Sequence, residues 1–334
     1  MSKAEDTLAN RQFLEKIFQT ILKDSLEVIK ETLNSSLTLY NAQYKYEKDP
    51  LILLKSLIND FKDAKARNLL HFAASRGDLL IFKYLLENGA DISSKDSEGN
   101  TVLFIAAQHE NIQLFKYLIE ELKMDPLSKR DNNVTCLHLA GSMGNIEIIE
   151  YLLTKQANLE DLSSYGTVLD WAVSSNQITL VKYLIAKNVN LLGGSSINKN
   201  LPPPIIMAIN LQYNEIALIL IEKDYKLIYC KDQAQWSIFH VACEVGNTFI
   251  CEKIIEILIN QESKEKAVAF CDYSVEGKTA LDIAYQYEKW DCVSLLRLWT
   301  TKPYSKQSMV KQRDKKNKNP MKAQEIKAIG NELF

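Results

Sequence analysis

The apolar positions of this 334-residue chain recur with a long period. A short apolar segment ends in an alanine, a polar break follows, and a second apolar segment with helical spacing comes after it. The pattern returns at intervals of roughly 33 residues, which is typical of a unit with one turn and two short helices. We therefore predict an all-α chain of stacked helix-turn-helix units. The seven anchors of the pattern are Leu70, Leu103, Leu137, Leu169, Ile205, Phe239 and Leu281.

The N-terminal region carries a helical pattern of its own. Residues 4–34 place apolar side chains at spacings of three and four, which predicts an amphipathic helix. Its apolar face either packs on the repeats or the next helix, or binds another protein. We expect a polar connection containing Tyr40, Tyr44 and Tyr46 to follow, and then a helix over residues 51–61 that caps the first repeat.

Two connections are longer than the others. Residues 191–204 are rich in glycine, serine and proline, and their three consecutive prolines lack backbone donors, so we expect a protruding loop. Residues 260–271 have a helical composition and are expected to lengthen a helix or the turn after it.

Composition narrows the function classes. The formal net charge of −2 provides no general attraction to nucleic acids or acidic membranes. The six cysteines are scattered without a C-x-x-C pair, so we expect no metal site and no cofactor. No nucleotide-binding or nucleophile motif is present, and we assign no catalytic residues. Without a secretory segment or an apolar run of about 20 residues, a cytoplasmic location is expected, with the nucleus as an alternative.

The segments around the anchors carry a family resemblance. They are 68–73 (NLLHFA), 101–106 (TVLFIA), 135–140 (TCLHLA), 167–172 (TVLDWA), 203–208 (PPIIMA), 237–242 (SIFHVA) and 279–284 (TALDIA). They resemble the Thr-Pro-Leu-His-x-Ala signature of ankyrin repeats, and the chain is similar to ankyrin-repeat proteins over about residues 50–300. The resemblance implies an ankyrin-repeat solenoid with an N-terminal helical cap. The implied boundaries are 1–61 for the N-terminal helices and cap, 62–300 for about seven repeats, 301–322 for a basic linker and 323–334 for a further helix.

The resemblance also assigns roles within each repeat. The turn before the signature needs a residue that tolerates positive φ, which glycine and asparagine do best. The residues at that place are Ala66, Gly99, Asn133, Gln235 and Gly277. In ankyrin families the signature histidine makes structural hydrogen bonds between adjacent repeats, which favours a structural role over catalysis here. The three histidines at this place are His71, His138 and His240.

Ankyrin proteins hold partners on a concave face made of turn tips and first helices. The resemblance therefore implies a non-enzymatic, monomeric interaction scaffold whose partners are proteins rather than nucleic acids or membranes. Tyr165 and Trp236 are the expected anchors, because aromatic side chains dominate binding hot spots; the other interpretation of Trp236 is that it covers a turn between repeats. The implied partner-binding residues are Ser97, Glu98, Asn100, Asp131, Asn132, Val134, Ser163, Ser164, Tyr165, Gln233 and Trp236.

The C-terminal residues suggest a continuation of the chain. Residues 302–322 are basic and read as a linker, with a nuclear import signal as the alternative. Residues 325–334 resemble the first half of the first helix of a tetratricopeptide repeat. Lys327 and Asn331, four residues apart, match positions that contact the acidic C-terminal tails of heat-shock chaperones in part of that family. The motif stops before it is complete, so we expect a longer native chain.

Three functions are compatible with these patterns. The first is an adaptor that joins a partner on the ankyrin face to a heat-shock chaperone. The second is an inhibitor-type ankyrin binder with a basic import segment. The third is an accessory region of an enzyme whose catalytic domain lies beyond residue 334.

Overall fold

In the computed structural model the chain is described over residues 19–21, 23–44, 54–55, 58–60, 62–109 and 111–301. It divides into two compact units. Unit 1 contains the described residues up to Ala140 together with Glu147–Ala157, and unit 2 contains Gly141–Ile146 and the described residues from Asn158 onward.

The helices in and next to unit 1 are α1 (Leu26–Tyr44), α2 (Leu69–Arg76), α3 (Leu79–Glu87), α4 (Val102–Gln108), α5 (Ile112–Glu120), α6 (Cys136–Met143) and α7 (Ile146–Thr154). Unit 2 continues with α8 (Val168–Ser174), α9 (Ile178–Ala186), α10 (Pro204–Asn210), α11 (Asn214–Lys223), α12 (Ile238–Val245), α13 (Thr248–Gln261), α14 (Lys264–Cys271), α15 (Ala280–Gln286) and α16 (Trp290–Leu296). Short 3-10 turns cover Asp131–Asn133, Gly193–Ser196 and Tyr225–Tyr229. A two-residue hairpin pairs β1 (Ser274–Val275) with β2 (Lys278–Thr279), placing Ser274 opposite Thr279.

The helices form seven pairs at the seven predicted places, and the predicted all-α class is confirmed. The first helix of each pair is short and almost completely buried, because its alanine allows neighbouring helices to approach closely. The lengthened connection at 260–271 is also helical: α13 extends to Gln261 and α14 is an additional helix.

The turns before five of the seven signatures adopt the predicted left-handed conformation. The φ angles are 58° at Ala66, 79° at Gly99, 57° at Asn133, 60° at Gln235 and 77° at Gly277. Three of the five positions therefore carry a side chain in a region that disfavours a Cβ.

Two of the three signature histidines, His71 and His240, have the structural role that the resemblance implied. In unit 1, His71 accepts a hydrogen bond at Nδ1 from the backbone N–H of Asn68 (3.3 Å) and donates from Nε2 to the carbonyl of Asn100 in the next repeat (3.2 Å). In unit 2, His240 contacts the Ser237 hydroxyl (2.7 Å) and donates to the carbonyl of Lys278 (3.2 Å). Each ring both caps its own helix and bonds to the following repeat, so it is not free to act as a general base.

A row of lysine–tyrosine contacts runs along the second helices of unit 1. The ammonium of Lys30 on α1 lies 5.2 Å from the Tyr84 ring centroid, Lys83 lies 4.6 Å from Tyr117, and Lys116 lies 5.5 Å from Tyr151. Each contact is a cation–π interaction between neighbouring helix pairs. We call this row the lysine–tyrosine ladder.

The N-terminal helix differs from the prediction in its limits. The predicted continuous helix over residues 4–34 is wrong around residues 24–25, where the helix is interrupted, and Ser25 supplies the carbonyl that starts α1. α1 then continues to Tyr44, so Tyr40 and Tyr44 belong to a helix rather than to a connection.

The packing of this region agrees with the simpler of the two interpretations. Ile29 and Leu33 of α1 are buried, and the Arg76 guanidinium donates to the carbonyls of Ile21 (2.9 Å) and Asp24 (2.5 Å). The apolar face of α1 is thus used inside unit 1.

The predicted protruding loop at 191–204 is wrong for both halves of the segment that flank residues 197–200, because residues 193–195 and 201–204 are buried; Ile197, Lys199 and Asn200 between them are exposed. The segment folds back onto unit 2, and the prolines at its end are buried, with Pro204 at the first turn of α10. Leu201 is also buried. Proline at this position loses no needed donor, so the segment can lead directly into the helix.

Asp170 holds this segment in place. Its Oδ2 accepts from the backbone N–H of Gly194 (2.7 Å), the backbone N–H of Thr167 (2.7 Å) and the Thr167 hydroxyl (2.9 Å). Gly194 has no Cβ, which allows the approach: a Cβ there would lie 2.7 Å from Leu201 and 2.8 Å from the Gly166 backbone. The connection is therefore anchored to the start of α8 by one buried carboxylate.

Candidate functional site

The turn tips of unit 1 are linked to one another by hydrogen bonds. The backbone N–H of Ser97 donates to the carbonyl of Lys65 one repeat earlier (2.8 Å). The Arg130 guanidinium donates to the carbonyl of Glu98 (3.0 Å) and lies 3.4 Å from its carboxylate. Each tip is thereby held against its neighbour, which fixes the spacing of the exposed side chains before any partner arrives.

The predicted partner-binding residues of unit 1 fall into two groups. The exposed or half-buried ones are Ser97, Glu98, Asp131 and Asn132. Val134 is buried, and so is Asn100, whose side-chain amide donates to Asp96 (2.9 Å). The second group shapes the turns from inside and is not available to a partner.

The corresponding tips of unit 2 contain an aromatic platform. Ser163 is buried, where its hydroxyl donates to the carbonyl of Gly166 (2.7 Å) and accepts from the indole N–H of Trp171 (3.1 Å). The Tyr165 ring packs edge-on against Trp171, with centroids 5.9 Å apart and an interplanar angle of 82°. Tyr165 is half-buried and Ser164 beside it is exposed. The tyrosine is therefore partly accessible while its ring is in contact with the buried Trp171.

Trp236 does not suit the anchor role suggested by the sequence. Its side chain is only 8% exposed, and its ring lies 5.8 Å from that of His240. This placement matches the alternative interpretation, in which the indole covers the turn between repeats. Gln233 at the same tip is exposed, and its amide donates to the carbonyl of Asn200.

A groove of about 300 Å³ lies between α13 and α16 of unit 2. Its lining residues are Glu252, Ile255, Glu256, Ile259, Asn260, Leu295 and Trp299. The sequence analysis did not predict this feature, because it depends on the extended length of α13. One of its carboxylates is already paired, since Lys253 lies 2.8 Å from Glu256.

Three cysteines that are distant in sequence meet in unit 2. Cys243 on α12, Cys251 on α13 and Cys292 on α16 are fully buried, and their Sγ atoms lie within 4.8 Å of one another. The hydrogen bond with Cys251 raises the pKa of the Cys243 thiol, whereas hydrogen bonds from Cys243 and Cys251 lower the pKa of Cys292. Of these two thiols, Cys292 is therefore the more acidic. Sequence spacing concealed the group, because its members come from three helices.

The predicted chaperone-tail residues Lys327 and Asn331 lie outside the described residues, as does the basic linker after residue 301. Within the described part of the chain, no helix is both long and apolar enough to cross a membrane.

Two family models match parts of the repeat region. Residues 70–119 match the family model for ankyrin repeats (many copies), and residues 122–200 match the model for ankyrin repeats (3 copies). The chain is also similar to the crystal structure of the human ASB11 ankyrin repeat domain. That similarity has 23% sequence identity and a TM-score of 0.47, and it covers 62% of this chain and 90% of the other. The comparison with curated proteins found no match.

Proposed function

We propose that the exposed turn tips of this chain bind a polypeptide partner and that it acts as a non-enzymatic scaffold. The support is the match of residues 70–119 and 122–200 to ankyrin repeats, which generally mediate protein–protein interaction. The proposed contact residues are the accessible members of the predicted set. They are Ser97, Glu98, Asp131 and Asn132 in unit 1, and Ser164, Tyr165 and Gln233 in unit 2.

The observation that supports this proposal most directly is the bonding between tips. Ser97 bonds to Lys65 and Glu98 to Arg130, so a polar surface is held rigidly before binding. A preformed surface loses little conformational entropy when a partner binds, which leaves more of the contact energy available for affinity.

Tyr165 is the proposed anchor in unit 2. Its ring is braced by the buried Trp171, and Trp171 is held by the Ser163 hydroxyl. A tyrosine supplies a large contact area with few rotatable bonds, and the bracing reduces its freedom further.

The test compares two tyrosines of the same repeat. Partners are crosslinked to the wild-type chain in cells and identified by mass spectrometry, and their affinities for purified variants are then measured. We expect Tyr165→Ala to weaken binding by about 2 kcal/mol, roughly a 30-fold rise in Kd.

The matched control is Tyr183→Ala, which removes a half-buried tyrosine from α9 on the second helix of that repeat. It should leave affinity unchanged, and circular dichroism should show both variants folded. Equal affinities for the wild type and Tyr165→Ala would refute the anchor. A loss that is equally large in both variants would refute the turn tips as the binding surface.

The chaperone link is a further part of the proposal and rests on the spacing of Lys327 and Asn331. Its test is the binding of an acidic C-terminal chaperone peptide to the native chain, with Lys327→Glu as the comparison.

Loss of nuclear accumulation on replacing Lys315, Lys316 and Lys318 would instead favour the inhibitor-type binder. A catalytic motif downstream of residue 334 would favour the accessory region of an enzyme.

A further inference from the structure

The three-cysteine cluster has the dimensions of a metal site. The Sγ atoms of Cys243 and Cys251 are 3.9 Å apart, and all three sulfur atoms lie within 4.8 Å of one another. If all three sulfur atoms were 3.9 Å apart, as those of Cys243 and Cys251 are, the centre of the triangle would lie about 2.3 Å from each of them. This equals the zinc–sulfur distance of protein sites. An ion at the centre would therefore require only a small inward movement of the third sulfur.

The cluster is assembled by rigid elements. Cys243 and Cys251 come from the two helices of one pair, α12 and α13, and Cys292 comes from α16, which packs on α13. All three side chains are fully buried, so water does not compete for the sulfur atoms. The Thr248 hydroxyl lies 3.2 Å from the Cys292 sulfur and is an oxygen at the edge of the site.

We propose that Cys243, Cys251 and Cys292 bind one thiophilic d10 metal ion, Zn²⁺ or Cu⁺, as thiolates. Soft sulfur ligands select these ions over Mg²⁺, Ca²⁺ or Mn²⁺, which prefer oxygen. Binding releases the thiol protons, and the three thiolates leave one net negative charge with Zn²⁺ and two with Cu⁺. The smaller net charge of the buried complex favours Zn²⁺. The coordination number favours Cu⁺, because the site offers three sulfur ligands and no strong fourth ligand. The ion would join α16, the last helix of the described residues, to the α12–α13 pair.

Metal affinity is measured on the full chain under anaerobic, reducing conditions. Zn²⁺ is titrated in competition with a chromophoric chelator, and Cu⁺ in competition with bicinchoninate. We expect binding of one ion per chain. The ion that binds with the lower Kd in these two titrations is the one that the site selects. Loss of a ligand affects affinity more than loss of a residue that hydrogen-bonds to a ligand, which typically costs roughly 10–100-fold. Cys292→Ser should therefore weaken binding at least 100-fold.

The control is Cys136→Ser, which replaces an equally buried cysteine in unit 1 and should leave affinity unchanged. A second measurement uses the wild type alone, so that it does not depend on variants folding. Bound metal should protect Cys243, Cys251 and Cys292 from alkylation in mild denaturant, while the half-buried Cys230 reacts at the same rate with and without metal.

Two results would overturn the proposal. One is the absence of stoichiometric binding of either ion by folded chain with all thiols reduced, which would make the cluster simple core packing. The other is binding that protects cysteines outside the cluster, or that Cys292→Ser leaves intact, because the metal would then lie elsewhere.

Discussion

The buried carboxyl group of Asp170 makes a specific prediction about the pH dependence of unit 2. Burial raises the pKa of Asp170 from its ordinary 3.8 to about 6, against the opposing effect of the hydrogen bonds from Gly194 and Thr167. Its Oδ1 is buried without a hydrogen-bond partner among the described residues, which is consistent with a proton held there.

The sign follows from proton binding in the two states. The unfolded chain releases the Asp170 proton near pH 3.8, whereas the folded chain keeps it until about pH 6. Between these values the folded state binds more protons, so the free energy of unfolding falls as pH rises. A difference of about two pKa units corresponds to a loss of at most ~3 kcal/mol, complete above pH 6.

Asp170→Asn tests this reasoning because it keeps an acceptor for the three donors and removes the titration. We expect the stability of the wild type relative to this variant to fall by ~2.4 kcal/mol between pH 4 and pH 7. Comparing the two chains at each pH cancels every other titrating group. Urea unfolding followed by tryptophan fluorescence is the assay, since all four tryptophans, Trp171, Trp236, Trp290 and Trp299, lie in unit 2.

A second variant checks the cause. Thr167→Val removes the hydroxyl that donates to Asp170, so it should raise the pKa of the carboxyl further and extend the loss of stability to higher pH. A stability difference between the wild type and Asp170→Asn that stays flat from pH 4 to pH 7 would refute the raised pKa.

Two further predictions concern backbone geometry in unit 2. Gly194→Ala should lower the free energy of unfolding by about 1–3 kcal/mol, because its Cβ would meet Leu201 and the Gly166 backbone. Gly277→Ala has no atom within 4 Å of the new Cβ, so its loss should be limited to about 1–2 kcal/mol from φ 77°; a larger loss than for Gly194→Ala would contradict the steric argument. Gln235→Gly should raise the free energy of unfolding by up to about 1 kcal/mol, since glycine tolerates φ 60°, and a lower urea midpoint than the wild type would contradict this.

The repeat architecture was predictable because its determinants are local. The spacing between the leucine and the alanine is the same in different copies, as in Leu103 with Ala106 and Leu281 with Ala284. Each copy therefore indicates the same helix start. The left-handed turn at Gln235 was found from its register alone, although glutamine itself gives no signal for positive φ.

The features that escaped prediction depend on packing between distant residues. The 191–204 segment is anchored to the start of α8 because Asp170, which also caps that helix, accepts a third hydrogen bond, from Gly194. The glycines and prolines of the segment indicate flexibility and missing backbone donors. They do not indicate that Asp170, more than twenty residues earlier, accepts a hydrogen bond from the segment. Cys292 meets Cys243 and Cys251 only through the register of α16 on α13, which no short spacing records.

The lysine–tyrosine ladder has a mechanical consequence for unit 1. Each of its contacts, such as Lys83 on Tyr117, joins only neighbouring helix pairs, so no contact of the ladder bypasses a pair and shares a load across it. A chain pulled from its ends should then extend in steps, one pair at a time. Each step would release roughly 33 residues, or about 100 Å of extended backbone. Unit 1 would therefore unfold one helix pair at a time under load. After the load is removed, each pair would need only one folded neighbouring pair to refold against.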